Sequence, residues 1–331
     1  MNALIIETAF LGDAIISLGL ARELKRLDPA SRVTYLVRSG IEDVIASSPD
    51  VDRVIPFDKH GSERGIAGIR AKASELNECG FDTLFLLHAS RRSQALAALV
   101  SCDVKIGFDT MTHAHLTHTV ADAGWSNRYE RTILLLRAIF PDANLGVLPR
   151  IIPPLAPLLA PFLYRWKKSV ALAPGSAWET KKWGDEKFFE LANVLTEHGI
   201  GVMVIGGEEE RALAKRIREA CAAKAVLDLA GRANFLVSMA AIERASLLVG
   251  NDSAPAHAAA AVGTRVLTIF GPTSPAFGFA PPDGTGEIIE LPTLWCRPCT
   301  PHGSHICPIY THECMEGIGV SEVLGRILKE L

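Results

Sequence analysis

Leu247-Leu248-Val249-Gly250-Asn251-Asp252-Ser253-Ala254-Pro255-Ala256-His257-Ala258-Ala259-Ala260-Ala261 changes character halfway along its length. Residues 247–250 form a short apolar run of the kind buried on both faces of a parallel sheet. A polar break follows, then Pro255, suited to a first helical turn, and a run of small residues that lets a helix lie close to a sheet. A strand feeding directly into a helix is the repeating unit of doubly wound α/β folds. The same alternation recurs outward in both directions. Strands are predicted at 169–173, 201–205, 226–229, 247–250 and 265–269, and an earlier series at 3–7, 33–37, 53–57 and 83–87. Amphipathic helical stretches separate them, the clearest at 13–27, 185–198 and 208–221. Between the two series lies Leu148-Pro149-Arg150-Ile151-Ile152-Pro153-Pro154-Leu155-Ala156-Pro157, whose prolines remove donors and bar regular structure. The expected domains are therefore residues 1–150 and 151–331, with a last helix at 321–331 free to pack back on the first.

The bulk composition excludes several classes. A chain of 331 residues suits two cores, and a formal charge of -3 supplies no field to hold nucleic acid. Anionic ligands must be met locally. The opening Met1-Asn2-Ala3-Leu4-Ile5-Ile6-Glu7 lacks the basic start and long apolar core of a signal peptide and reads as a strand, which gives a cytoplasmic expectation. Prolines interrupt the longest apolar stretch, 151–163, so no membrane span is expected.

Ligands of open α/β sheets sit beyond the carboxyl ends of strands, where helix N-termini offer free N–H groups. Three strand-to-helix loops stand out. In Thr8-Ala9-Phe10-Leu11-Gly12-Asp13 a single glycine replaces the three of a dinucleotide fingerprint. Asp13 either caps a helix or acts as a general base on an acceptor hydroxyl. Ala173-Pro174-Gly175-Ser176-Ala177-Trp178-Glu179-Thr180-Lys181-Lys182-Trp183 offers a glycine for close backbone approach, a hydroxyl, and a lysine able to reach a phosphate. The plain alternative is a turn with two solvated lysines. In the third loop Asp252 or Ser253 is placed as an N-cap, the N–H groups of Ser253 and Ala254 can receive a diphosphate, and Asp252 can bind sugar hydroxyls. Its plain alternative is a capped helix with His257 bonded in the first turn.

Taken together, Gly12-Asp13, Pro174-Gly175-Ser176 through Lys181-Lys182-Trp183, and Asn251 through His257 followed by Phe270-Gly271-Pro272-Thr273 resemble the bacterial ADP-heptose:lipopolysaccharide heptosyltransferases, glycosyltransferase family nine. The resemblance runs in order over nearly the whole chain. It implies a GT-B fold, two Rossmann-like doubly wound domains facing across a cleft, and inverting transfer from an ADP-sugar donor without a catalytic metal. By position it implies Asp13 as base, Lys181 on the donor diphosphate, Ser176 with Ala177 in a pair that often bears hydroxyls, and Asp252 on the donor sugar. Ser253, Ala254 and His257 match phosphate-side residues, and Gly231 in Leu229-Ala230-Gly231-Arg232 matches more loosely the passage by the nucleobase. Ala177 and Ala254 depart from the threonine and glycine of some members.

The implied acceptor is the anionic lipid A–Kdo core of lipopolysaccharide, with a peripheral contact at the inner membrane. Guanidiniums would suit it, and Arg91, Arg92 and Arg128 are the candidates, with solvated surface arginines as the alternative. Asp50-Val51-Asp52 has the D-x-D form of metal-dependent transferases but follows Ser48-Pro49 just before a strand and reads as a turn. Cys296, Cys299, Cys307 and Cys314 form a spaced cluster that could close a structural zinc site, against the alternative of reduced thiols. Two other function classes fit the architecture: a nucleotide-sugar epimerase, which needs no acceptor, and a non-catalytic sugar-binding protein.

Overall fold

A computed structural model describes residues 1–111, 115–122, 127–154, 156–159, 165–222 and 225–331. Leu155 of the proline-rich linker and residues 160–163 of the long apolar stretch lie outside them. The chain divides into two compact units, Met1–Ile152 and Pro153–Leu331.

The first unit runs β1 (Asn2–Glu7), α1 (Leu11–Leu27), β2 (Arg32–Arg38), α2 (Glu42–Ala46), β3 (Arg53–Phe57), α3 (Gly65–Asn77), β4 (Thr83–Leu86), α4 (Arg91–Leu99), β5 (Val104–Phe108), β6 (His118–Val120) and α5 (Arg128–Leu134). Its strands lie in the order β3-β2-β1-β4-β5-β6, every neighbouring pair parallel. Apolar residues fill the inner strands because helices cover both faces, so Ala3, Leu4, Ile5 and Ile6 are all fully buried without alternation.

The second unit runs β7 (Ser169–Ala173), α6 (Asp185–Glu197), β8 (Gly201–Val204), α7 (Arg211–Ala220), β9 (Val226–Asp228), α8 (Phe235–Arg244), β10 (Leu247–Asn251), α9 (Ala254–Val262), β11 (Val266–Phe270), β12 (Gly286–Glu290), α10 (Glu313–Glu316) and α11 (Val320–Glu330). Its sheet is β12-β11-β10-β7-β8-β9, again parallel throughout. Read from β9 inward, this order repeats that of the first unit. Each sheet therefore reverses direction once, between β1 and β4 and between β7 and β10. Those reversals part the adjacent loops at the strands' carboxyl ends, leaving a crevice where ligands bind.

Three strands escape a reading of apolar runs. Lys105 and Gly107 interrupt β5, β6 has three residues at an edge, and β12 is an edge strand with a glutamate at two of its five positions. The closing helix carries its own apolar periodicity. Val320, Val323 and Ile327 recur at helical spacing and join Trp183, Phe188 and Leu191 in the core of the second unit, against α6. Burial of each such side chain stabilises by roughly 1.5–3 kcal/mol, which holds α11 in the core of the second unit.

Candidate active site

The second unit gathers most of its sequence-predicted residues at its reversal point. Asn251, at the end of β10, is fully buried, and its side chain joins two loops. Its Nδ2 donates to the Pro174 carbonyl at 2.7 Å, and its Oδ1 accepts from the Trp183 N–H at 3.1 Å. Trp183 is fully buried, and its indole N–H donates to the Ile318 carbonyl at 2.9 Å. The segment between Pro174 and Trp183 is thus fixed at both ends. Within it Lys181 closes a one-turn 3-10 helix, Glu179–Lys181, and its Nζ lies 2.6 Å from Asp252 Oδ2. Thr273 donates to the same oxygen at 2.9 Å. Lys182 turns away to Glu179, 2.6 Å off.

Ser253 stands at the N-cap position of α9, but its side chain makes no capping bond. The hydroxyl reaches toward the Gly175 carbonyl at 3.3 Å. The N–H groups of the first turn, Ala254 included, have no partner within the helix by its geometry. They add a positive end to the Lys181 ammonium. His257, in that turn, is buried and packs on Phe279 with ring centroids 6.0 Å apart. Burial, with the charge of Lys181, moves its pKa down to about 4 against the pull of Asp252, so the imidazole is neutral. Ser176 accepts from the Trp178 N–H at 3.2 Å, and Ala177 is exposed beside it.

Gly231 lies apart from this group, after the edge strand β9, in the left-handed region at φ +63°. The residue that sits over the Gly175 turn is Glu210. A Cβ added at Gly175 would come within 2.8 Å of its carboxyl carbon, and the carboxylate accepts from the Gly207 N–H at 2.8 Å. Glu210, Asn251 and Thr273 had no role from sequence. The signal for the first was the string Gly206-Gly207-Glu208-Glu209-Glu210 directly after a strand.

At the reversal point of the first unit, α1 begins at Leu11 with Phe10 at its cap. Asp13 is therefore a half-buried first-turn residue and not the cap. Beyond β4, the Thr8 hydroxyl lies 3.1 Å from His88 Nδ1 and 3.0 Å from Ser93 Oγ. Burial, reinforced by Lys59, moves His88 down to about 4. Arg91 and Arg92 open α4; Arg91 is exposed, and Arg92 donates to the Lys59 carbonyl. Lys59 itself donates to the Thr8 carbonyl and is pushed down by burial and by Arg38 and Arg92. Arg128 opens α5, where burial and Arg131 push it down while Asp13, Asp122 and Glu7 hold it up. Arg128 and Asp13 thus come together, and Lys59, His88 and Glu7 join them without having been singled out from sequence.

Asp50 and Asp52 form the expected turn. Asp52 is neutralised by Lys25 at 2.7 Å and accepts from the Val33 N–H. The zinc expectation is not met: among the described residues no three His, Cys, Asp or Glu side chains are grouped to hold a metal ion. Cys299 donates instead to the Cys296 carbonyl at 3.2 Å, Cys307 takes backbone N–H groups of its own turn, and Cys314 is buried, its thiol pushed up to about 11. The segment braces the site by other means. Thr180 N–H and Oγ1 both donate to the Ser304 carbonyl, the Ser304 N–H returns to Thr180 Oγ1 at 2.9 Å, and Arg297 donates to the Thr273 carbonyl at 2.8 Å.

Two parallel 3-2-1-4-5-6 sheets, the second presenting a lysine, a carboxylate and a helix N-terminus at its reversal point, have the architecture of the GT-B glycosyltransferases. The chain belongs to glycosyltransferase family 9 (heptosyltransferase), whose model matches residues 69–306. The match takes in the loops that follow β7 and β10 and begins after Asp13. Escherichia coli lipopolysaccharide heptosyltransferase 3 is 25% identical over 304 residues, covering 81% of this chain and 83% of its own. The solved structure of E. coli ADP-heptose lipopolysaccharide heptosyltransferase II superposes with a TM-score of 0.79 at 21% identity, covering 100% of this chain and 98% of that one. A family 9 glycosyltransferase from Veillonella parvula gives 0.84 at 20% identity, covering 99% and 96%. Among the described residues no helix is long and apolar enough to cross a membrane.

Proposed function

We propose that the chain transfers a heptose from an ADP-sugar to the anionic inner core of lipopolysaccharide, with inversion and without a catalytic metal. The observation that carries the reading is the meeting of Lys181, Asp252 and the α9 N-terminus at one reversal point. A departing diphosphate needs its growing charge met there, and an ammonium with aligned N–H groups supplies that in place of a metal ion. In the bound state the diphosphate takes the Lys181 ammonium, and Asp252, still held by Thr273, turns its free oxygen to the sugar hydroxyls. The Glu210 carboxylate, beside Gly175, suits further hydroxyls of the nucleotide.

The first unit supplies the other half of the chemistry. As the acceptor oxygen bonds to the anomeric carbon, its proton passes to the Asp13 carboxylate, the bond from that carbon to the diphosphate oxygen breaks, and ADP leaves with the electron pair. Attack from the face opposite the leaving group inverts the centre. Arg91, Arg92 and Arg128, with Lys59 and Arg38 nearby, fit an acceptor bearing carboxylates and phosphates. Such an acceptor brings the enzyme to the cytoplasmic face of the inner membrane as a peripheral visitor.

Asp13→Asn should abolish transfer to a synthetic acceptor while ADP affinity stays within about twofold, and Lys181→Ala should weaken ADP binding by at least about tenfold. Turnover in Asp13→Asn would remove the base assignment. Consumption of donor with no acceptor present would instead mark an epimerase, and tight donor binding without turnover on any acceptor a binding protein.

A further inference from the structure

Glu7 is the last residue of β1, the strand that leads into the helix bearing the proposed base, and its carboxyl is buried, 5% exposed. Its Oε1 accepts the Ala9 N–H at 2.8 Å, so the carboxyl closes the Thr8-Ala9-Phe10 turn onto the end of the strand. That turn leads straight into α1, which carries Asp13 in its first turn. The same turn is held from the other side by Lys59, which donates to the Thr8 carbonyl, and by the Thr8 hydroxyl at His88 and Ser93.

We propose that Glu7 is a positioning residue for acceptor activation: its buried carboxyl fixes the turn that aims Asp13 and, as the second carboxyl of the pair, sets how strongly Asp13 attracts the acceptor's proton. The inference rests on Asp13 being the base. The groups facing Glu7 are Asp13 on α1, Tyr35 on β2, Lys59 after β3, and Arg128 and Arg131 on α5. Arg131 is largely spent on Asp122, 2.7 Å away. Two neighbouring carboxyls do not ionise together cheaply, and the more buried one keeps its proton longer. Burial first, then Asp13, moves Glu7 up to about 8 in spite of the Ala9 N–H, Lys59 and Arg131. At neutral pH Glu7 therefore keeps its proton. When Glu7 loses its proton, the added charge makes Asp13 a stronger base.

The test is the pH dependence of kcat in the full chain with saturating ADP-heptose and a synthetic acceptor. The wild-type kcat should step upward, about threefold, as pH passes 8. Glu7→Gln keeps an oxygen for the Ala9 N–H and should hold kcat within about threefold at pH 7 but lose the step. Glu7→Ala should lower kcat by about tenfold with donor KM unchanged, because only the aim of Asp13 is lost. A Glu7→Gln profile that retains the step, or a Glu7→Ala enzyme with wild-type kcat, overturns the inference. Should Glu7→Ala fail to fold, the Glu7→Gln profile decides alone. Asp13→Asn separates the two levels: an active Asp13→Asn removes the base and this inference with it, whereas an inactive Asp13→Asn beside an unaltered Glu7→Gln profile removes Glu7 only.

Discussion

Glu7 and His257 are both buried ionisable groups at strand-to-helix loops, and they bias stability toward opposite ends of the pH scale. Glu7 keeps its proton to about pH 8 when folded, against an ordinary value of 4.5. Between those values the unfolded chain has released the proton and the folded chain has not, so stability falls as pH rises through the window. His257 has the reverse order, about 4 folded against 6.5 unfolded. There the unfolded chain binds the proton first, and stability is full above 6.5 and lost as pH falls toward 4. Glu7→Gln should therefore raise the melting temperature by an amount that grows from pH 5 to pH 8, reaching roughly 2–4 °C or more. His257→Gln should flatten the loss of melting temperature between pH 6.5 and 4. Melts of each variant against wild type across pH check both, and a Glu7→Gln gain independent of pH would contradict the assignment of a buried, protonated carboxyl.

At the scale of elements, the donor site is a set of loops tied to one another more than to their own strands. The 3-10 turn Glu179–Lys181 owes its place to Thr180, which is buried and exchanges hydrogen bonds with Ser304 in both directions. The cysteine-bearing segment is thus a brace on the lysine turn, held by hydroxyl and carbonyl groups and by Arg297 at Thr273. Thr180→Val keeps the shape and removes both hydroxyl bonds, leaving the Ser304 N–H unpaired, at a cost of about 1–3 kcal/mol. Because Lys181 is the next residue, ADP affinity by titration calorimetry should fall about tenfold, with smaller effects on kcat. An unchanged affinity would mean that Lys181 is aimed by Asp252 alone. This brace was not legible in the sequence, where Thr180 and Thr273 stand as ordinary members of longer strings and nothing marks Ser304 or Arg297. Asp252, Ser253, Lys181 and Ser176 stood out as candidates because unusual residues follow buried strands there. Thr180, Thr273, Asn251 and Glu7 act through the direction a side chain takes once loops from distant strands meet, and periodicity carries no trace of that.

At the scale of the molecule, the repeated βα rhythm made the two doubly wound series legible, while β5 was not, because Lys105 and Gly107 break its apolar run, nor were β6 and β12, because an edge strand needs apolar residues on fewer faces. The cysteine spacing suggested metal where the chain instead builds a hydrogen-bonded brace, since spacing says nothing of where sulfurs point. Each unit has its own six-stranded sheet, and the second has a core running from Val170 to Ile327 that includes Trp183 and the closing helix. Every donor-side residue singled out from Ser176 to His257 lies in that second unit, Pro153–Leu331. Units of this size with a complete core fold alone in general. Residues 153–331 expressed alone should therefore melt cooperatively and bind ADP within about tenfold of the full chain, since the lysine, the carboxylate and the helix N-terminus are all present. The same fragment should transfer no sugar, because the proposed base, Asp13, lies outside it. A fragment that folds but binds ADP more than about a hundredfold more weakly would show that the first unit completes the nucleotide site as well as the acceptor side.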